Sequence, residues 1–280
     1  MKIAICLHGK FTGSNNRGEV QGFEVPFEFL KKNVITENTD IFLHGWDDDS
    51  FESEKLINLV KPKNYILEKQ IVFDHPYKHY NFVPDGGWNT KDYLNNNYSR
   101  FYSLKKAMEL IDDSYDFVMV MRFDCIFYEK FDFTLLDPQK FYLSHWHHNH
   151  EGWGFNDAWF VSGWKNMKNL SLIYDRLNDW YKLDSDYLKF IKSHGMSEVN
   201  LQSGHIHWRY RIEEMGLKDM LYGYGIEYET WGLLRRLNRR YNPWGRPSVD
   251  FNYPVKLNKK YIHKQYTSIK ILNKLLYKIF

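Results

Sequence analysis

Three stretches, KIAICLHG (residues 2–9), TDIFLHGW (39–46) and YDFVMVMRFDCIFY (115–128), are apolar almost without alternation. A strand with one wet face alternates apolar and polar residues; a strand buried on both faces does not, so these three belong inside a sheet covered on both sides, as parallel sheets are. Helical patterns fall between them. After the first comes a polar, Gly-containing loop, KFTGSNNRGEVQG, and then PFEFLKKNVI, with Pro26 near a helix start. NYILEKQIVF after Pro62 reads as a further strand, and Phe101, Leu104, Met108 and Ile111 in YSRFYSLKKAMELIDD keep helical spacing behind Ser99 as N-cap. Residues 74–97, with Pro76, Pro84, Gly86 and Gly87, read as a long loop. The expected fold class is therefore α/β: a mixed, mostly parallel sheet flanked by helices.

The last of the apolar strands carries one interruption. In VMVMRFDCIF (118–127), Arg122 and Asp124 stand two positions apart, and strand alternation sends them to the same face. Either they neutralise each other at the end of a buried strand or they meet a ligand together. Ligands of open α/β sheets bind outside the carboxyl ends of the strands, where Gly9, Lys10, Trp46 and Asp47 would also gather. Arg122, Lys10, Arg17 and Arg100 are candidate partners for a phosphate, the arginines being favoured by their planar fork.

Beyond Phe127 the pattern turns to α+β. KFYLSHWHH and GFNDAWFVSG read as strands, WKNMKNLSLIYDRLNDWY as one amphipathic helix, and SEVNLQSGHIHWRYRIEEMG as the beginning of a further helix, with Ser197 as N-cap, ending near Gly216. Within GFNDAWF, Gly154 permits close approach, Asn156 offers a donor and an acceptor, and Asp157 is a candidate base; the alternative is a turn in which Asn156 and Asp157 serve the backbone. His145 and His147, and likewise His205 and His207, have the spacing of one strand face, on which either pair would be able to hold a divalent ion.

DIFLHGW, YSRFYSLKKAMEL, YDFVMVMRFDCIF and WGFNDAWFVSG, in that order, resemble GT-A-type glycosyltransferases found among bacterial surface-glycan and large-virus proteins; the resemblance spans roughly residues 1–225. It implies a Rossmann-like, GT-A-like domain over 1–232, with a nucleotide-sugar-binding half (1–127) and an acceptor half (128–232). It implies transfer of a sugar from a nucleotide-sugar donor to a glycan acceptor. In that family an acidic DxD-type motif reaches the donor diphosphate, usually through a divalent cation, Mn²⁺ or Mg²⁺. Asp124 matches its last position, but Arg122 stands where the first aspartate would be. By the same resemblance Gly9, Lys10, Arg17, Trp46, Asp47, Arg100 and Arg122 would serve the donor. Trp153, Gly154 and Asn156 would serve the acceptor, Asp157 with Asp124 the chemistry, and Asp124, His205 and His207 the metal. Two other classes stay open: a non-catalytic nucleotide- or glycan-binding relative in which Arg122 marks loss of the metal site, and a metal-dependent hydrolase built on the histidines.

Charge divides the chain unevenly. The 48 residues from Leu233 carry twelve Lys or Arg against Asp250 alone, a net +11, whereas the first 232 carry −8. No stretch is long and apolar enough to span a membrane, the apolar run of MKIAICLHG is too short for a signal peptide, and the two cysteines, Cys6 and Cys125, fall in buried strands; a cytoplasmic protein with reduced thiols is expected. No nucleic-acid-binding module accompanies the basic segment. In SIKILNKLLYKIF (268–280), Leu272, Leu275, Leu276 and Ile279 form one helical stripe and Lys270, Lys274 and Lys278 another, the pattern of a helix lying on an anionic membrane surface. Deleting 268–280 should abolish sedimentation with phosphatidylserine-containing vesicles while the melting curve is unchanged; undiminished sedimentation would rule out the tail as an anchor.

Overall fold

In the computed structural model β1 (Ile3–Lys10), the first apolar stretch, is hydrogen-bonded on both sides. The structure describes residues 1–13, 22–47, 50–73, 91–112, 114–144, 146–147, 154–196, 201–223, 231–233 and 256–257. After β1 come α1 (Glu24–Asn33), β2 (Thr39–Trp46), α2 (Ser50–Val60), β3 (Asn64–Glu68), α3 (Lys91–Glu109) and β4 (Phe117–Arg122). The strands β5 (Cys125–Phe127), β6 (Phe141–Leu143), β7 (Trp146–His147), β8 (Gly154–Phe155) and β9 (Trp159–Ser162) follow. Then come α4 (Trp164–Leu170), α5 (Ile173–Trp180), α6 (Asp186–Ser193), α7 (Gly204–Glu214), β10 (Leu221–Gly223), β11 (Trp231–Leu233) and β12 (Lys256–Leu257).

Eight of the described strands form one sheet in the order β12-β10-β6-β9-β4-β1-β2-β3. β1, β2, β3 and β4 are mutually parallel, β6, β10 and β12 likewise, and β9 runs antiparallel to both β4 and β6. The mostly parallel α/β sheet is thus present, and strands from beyond residue 127 complete the sheet that the first half begins. β1 is its centre: the chain proceeds from β1 through β2 to β3 on one side and resumes with β4 on the other. Connections leave in opposite directions from that point, so a crevice opens between the carboxyl ends of β1 and β4.

Both faces are covered, which is why the central strands do not alternate. On one face Ala4, Cys6, Phe42, Val118 and Val120 pack with Phe101, Leu104 and Met108 of α3 and with Ile206 and Trp208 of α7. On the other, Ile3, Ile5, Leu7, Met119 and Met121 pack with Phe27 and Leu30 of α1. Period-2 alternation places His8, His44 and Arg122 on the α3 face, one step beyond the apolar positions that precede them.

Several local expectations are corrected. Helix α3 starts at Lys91, not Ser99; Ser99 is buried within it and accepts a hydrogen bond from Gln70 Nε2 at 3.3 Å. The expected loop therefore gives up 91–97, and its remainder, 74–90, lies outside the described residues. KFYLSHWHH splits into β6 and β7, which belong to different sheets, and the helix expected over 164–181 breaks at Ser171–Leu172 into α4 and α5. The helix expected from Ser197 to near Gly216 is present as α7 but begins at Gly204, with Ser203 at the N-cap position, and carries His205 and His207; Ser197 lies outside the described residues. So do Arg17, Trp153, His145 and the tail 268–280. Among the described residues no helix is long and apolar enough to cross a membrane.

Candidate functional site

At the carboxyl end of β4 the guanidinium of Arg122 grips Asp124 with a two-pronged bond, Nε to Oδ1 and Nη2 to Oδ2, both 2.9 Å. The turn at Phe123–Asp124, between β4 and β5, folds the carboxylate back onto the arginine that alternation had placed on the α3 face. The two do neutralise each other, and Asp124 is only 3% exposed. They are not alone. Arg122 Nη1, the prong left over, lies 3.8 Å from Asp157 Oδ1, and Asp157 Oδ2 is 2.5 Å from Arg100 Nη1 on α3. Two guanidiniums and two carboxylates thus alternate, Arg100–Asp157–Arg122–Asp124, with zero net charge. Arg122 itself is buried, which works against its charge, but the carboxylates of Asp124 and Asp157 outweigh that and hold its pKa above the usual arginine value.

Each member comes from a different element. Asp157 sits in the turn joining β8 to β9, where Asn156 Oδ1 accepts the Ala158 N–H at 3.0 Å and fixes the turn; the carboxamide oxygen is used by the backbone, as the turn alternative had it. Strand β9 then pairs with β4, and Arg122 N donates to Ala158 O at 3.1 Å, which sets Asp157 beside Arg122. Gly154 permits a close approach, but of protein: a Cβ there would lie 2.6 Å from His205 Cβ and 2.8 Å from His205 carbonyl carbon, so α7 closes onto β8. A Cβ on Gly204, the first residue of α7, would lie 2.7 Å from Arg100 Nη1, which locates the guanidinium against the start of that helix.

His8 completes the crevice. It pairs in register with Arg122, is 4% exposed, and its Nδ1 has no hydrogen-bond partner among the described residues. Burial first, and then the charges of Arg100 and Arg122, push its pKa down to about 3, so the ring is neutral. One residue on, Gly9 has φ +101°, a left-handed backbone that favours glycine, and donates its N–H to Ser103 Oγ at 2.7 Å. Ser103 Oγ is 2.8 Å from His44 Nδ1, and His44 Nε2 is 2.9 Å from Glu68 Oε1. Burial lowers the His44 pKa despite Glu68; in a neutral ring the serine hydroxyl donates to Nδ1 and Nε2–H donates to the carboxylate. This relay across β1, β2, β3 and α3 had no signal in the sequence beyond a buried histidine.

The other expected donor residues make contacts of their own. Trp46 is core, stacked on Tyr102 at 5.7 Å and 17°. Asp47 accepts from Ser53 Oγ at 2.7 Å and donates its N–H to Glu68 O at 2.7 Å, joining β2, β3 and α2. Lys10 ends β1 and leans over Gly13, its Cε 3.3 Å from where a Cβ would be.

These residues do not fit the divalent cation that the family resemblance implies. Both oxygens of Asp124 are engaged by one guanidinium, Asp157 lies between two, and a dication beside them would face two fixed positive charges. His205 and His207, two apart on a helix, point about 200° from each other. His205 Nδ1 is 2.7 Å from Phe155 O, while fully buried His207 pairs through Nε2 with Tyr181 OH at 3.0 Å. Among the described residues no three His, Cys, Asp or Glu side chains are grouped to share an ion.

No protein-family model and no curated protein sequence matches the chain. Among solved structures it is similar to the apo form of the glycosyltransferase GlyE of Streptococcus pneumoniae TIGR4, with 15% identity and a TM-score of 0.40 over 80% of this chain and 45% of that one. It is also similar to HddC from Yersinia pseudotuberculosis, with 13% identity and a TM-score of 0.33 over 60% of this chain and 79% of that one. The chain spans less than half the length of GlyE.

His8 and His207 give the fold a pH signature. Burial brings each to about 3 from the ordinary 6.5, so between those values the unfolded chain binds protons that the folded chain refuses. Stability therefore falls as pH falls through that window, by up to ~1.4 kcal/mol per pH unit for each ring. Denaturant melts of His207→Phe around pH 5 should show the slope reduced by about that amount per unit; an unchanged slope would mean that His207 is protonated in the folded protein.

Proposed function

We propose that the chain is a glycosyltransferase that moves a sugar from a nucleotide-sugar donor to a glycan acceptor at the crevice between β1 and β4. The observation that carries this reading is the four-charge cluster at the switch point of the sheet. Two partly buried guanidiniums, one at the carboxyl end of β4 and one on α3 beside it, suit a diphosphate, and a carboxylate held between them suits an acceptor hydroxyl. The order of the sequence motifs that resemble GT-A enzymes supports the same reading.

In the proposed reaction the acceptor oxygen attacks the anomeric carbon and the bond from that carbon to the diphosphate oxygen breaks, its electron pair leaving with the nucleoside diphosphate. Asp157 takes the acceptor proton. A single displacement of this kind inverts the anomeric centre. Arg122 and Arg100 meet the charge that grows on the leaving group, where fixed donors in a low-dielectric site act most strongly. Asn156 is left its carboxamide N–H₂ for a sugar hydroxyl, since its oxygen serves the turn. The basic segment 268–280 is proposed to hold the enzyme at the anionic membrane surface where surface glycans are built.

The closed Arg122–Asp124 fork also suits a binding protein without catalysis, and turnover separates the two. Release of nucleoside diphosphate from a panel of sugar nucleotides, with water as acceptor, should be measurable for the native chain. Asp157→Asn should lower kcat by roughly 10²–10⁴ without raising donor KM, because a base acts in the chemical step. No release by the native chain from any donor favours the binding protein; equal turnover by the variant removes Asp157 from the chemistry.

A further inference from the structure

We infer that the donor diphosphate is held without a divalent cation, by Arg100, Arg122 and His8, and that Asp157 is the resident counter-ion it displaces. This rests on the nucleotide-sugar reading and says how that site handles charge. A dication is useful to a diphosphate as two positive charges at fixed positions. Here the two guanidiniums already supply them, on α3 and β4, a carboxylate's width apart.

The way the four charges are shared identifies which anion leaves. Asp124 meets Arg122 with both oxygens in a planar fork and is almost wholly buried, so exchanging it would break two good hydrogen bonds at once. Asp157 lies 2.5 Å from Arg100 through Oδ2 and 3.8 Å from Arg122 through Oδ1, the second beyond hydrogen-bond length, and its partner Arg100 keeps 29% of its side chain exposed. A ligand entering beside Arg100 reaches Asp157 first. A phosphate displacing it would take Arg100 Nη1 and Arg122 Nη1, the one Arg122 prong outside the fork.

His8 is the independent sign that something polar belongs there. Its Nδ1 is buried without a partner among the described residues, next to Arg122 in register across β1 and β4. Kept neutral by burial and by both arginines, the imidazole can place an N–H on that nitrogen and donate to a phosphate oxygen, adding a donor without a further charge. The exchange also links binding to chemistry. Asp157 lies between two guanidiniums, and the ligand that takes them over frees its carboxylate for the acceptor.

Calorimetric titration of UDP and GDP into the full chain, in EDTA and again in excess Mn²⁺, tests this directly. At least one nucleotide should bind with the same affinity in both buffers, within about threefold. Binding that needs Mn²⁺ overturns the cation-free site and leaves the nucleotide-sugar reading standing; no binding in either buffer removes that reading and this inference with it. In EDTA, Asp157→Asn should tighten nucleotide binding by roughly tenfold, the effect of ~1.4 kcal/mol less competition for the arginines, whereas a carboxylate serving a metal would weaken it on removal. Should that variant melt early, Arg100→Gln, at the exposed end of the cluster, keeps the test open. It should bind at least about tenfold more weakly in both buffers, in proportion to a lost charge-assisted bond, while its circular dichroism at the titration temperature is still that of a folded chain. Native affinity in Arg100→Gln would contradict the inference.

Discussion

The pairing of two partly buried guanidiniums with two buried carboxylates at the end of β4 ties together four separate elements of this molecule. A charged group taken out of water must be paired and hydrogen-bonded, and removing one partner of such a pair typically costs ~3–5 kcal/mol. Four elements meet that demand together: β4 supplies Arg122, the turn after it Asp124, the β8–β9 turn Asp157 and α3 Arg100. Their mutual placement ties the antiparallel β9 to the parallel half of the sheet and holds the start of α7 against α3, where Gly204 leaves room for the Arg100 guanidinium. The cluster falls where the chain's course through the sheet reverses between β1 and β4, so the same requirement that organises the fold also equips its natural crevice.

Around the cluster the backbone is fixed by hydrogen bonds rather than left to loops. Gly9, Ser103, His44 and Glu68 form a continuous chain of contacts across three strands and α3, and the Asx turn at Asn156 sets the direction of Asp157. Such support reduces the reorganisation needed when a charged ligand arrives, which is the condition for fixed donors to stabilise a leaving group. In the proposed account the site rests in a neutral, self-paired state and becomes reactive by exchanging one anion for another.

How much of this was legible in the sequence depends on the range of the interaction. The central strands were legible because burial on both faces leaves an unbroken apolar run, and the meeting of Arg122 with Asp124 because the two are neighbours in sequence. The extent of α3 was not. Asn95, Asn96 and Asn97 are poor helix formers; two of them are held by distant partners instead, Asn95 Oδ1 by Phe73 N–H and Asn97 Nδ2 by the carbonyl of Gln202. His205 and His207 misled by spacing alone: two residues apart they would share the face of a strand, but on the helix that the segment forms they point about 200° from each other. The partnerships of Arg100 with Asp157 and of Ser103 with His44, 57 and 59 residues apart, carry no local signature at all. Arg100 and Asp157 were each nominated for their chemistry, but for opposite sides of the cleft, whereas the structure makes them one ion pair.

The central claim is that the crevice between β1 and β4 receives a diphosphate on its arginines. A crystal structure of the chain soaked with a nucleoside diphosphate in EDTA examines it most directly. The account predicts phosphate density between Arg100 and Arg122 within hydrogen-bond distance of His8 Nδ1, with the Arg122–Asp124 fork intact and Asp157 swung away from Arg100. Nucleotide bound elsewhere while Arg100 and Asp157 remain paired would contradict it, and would leave the four charges as a clamp that holds the fold and nothing more.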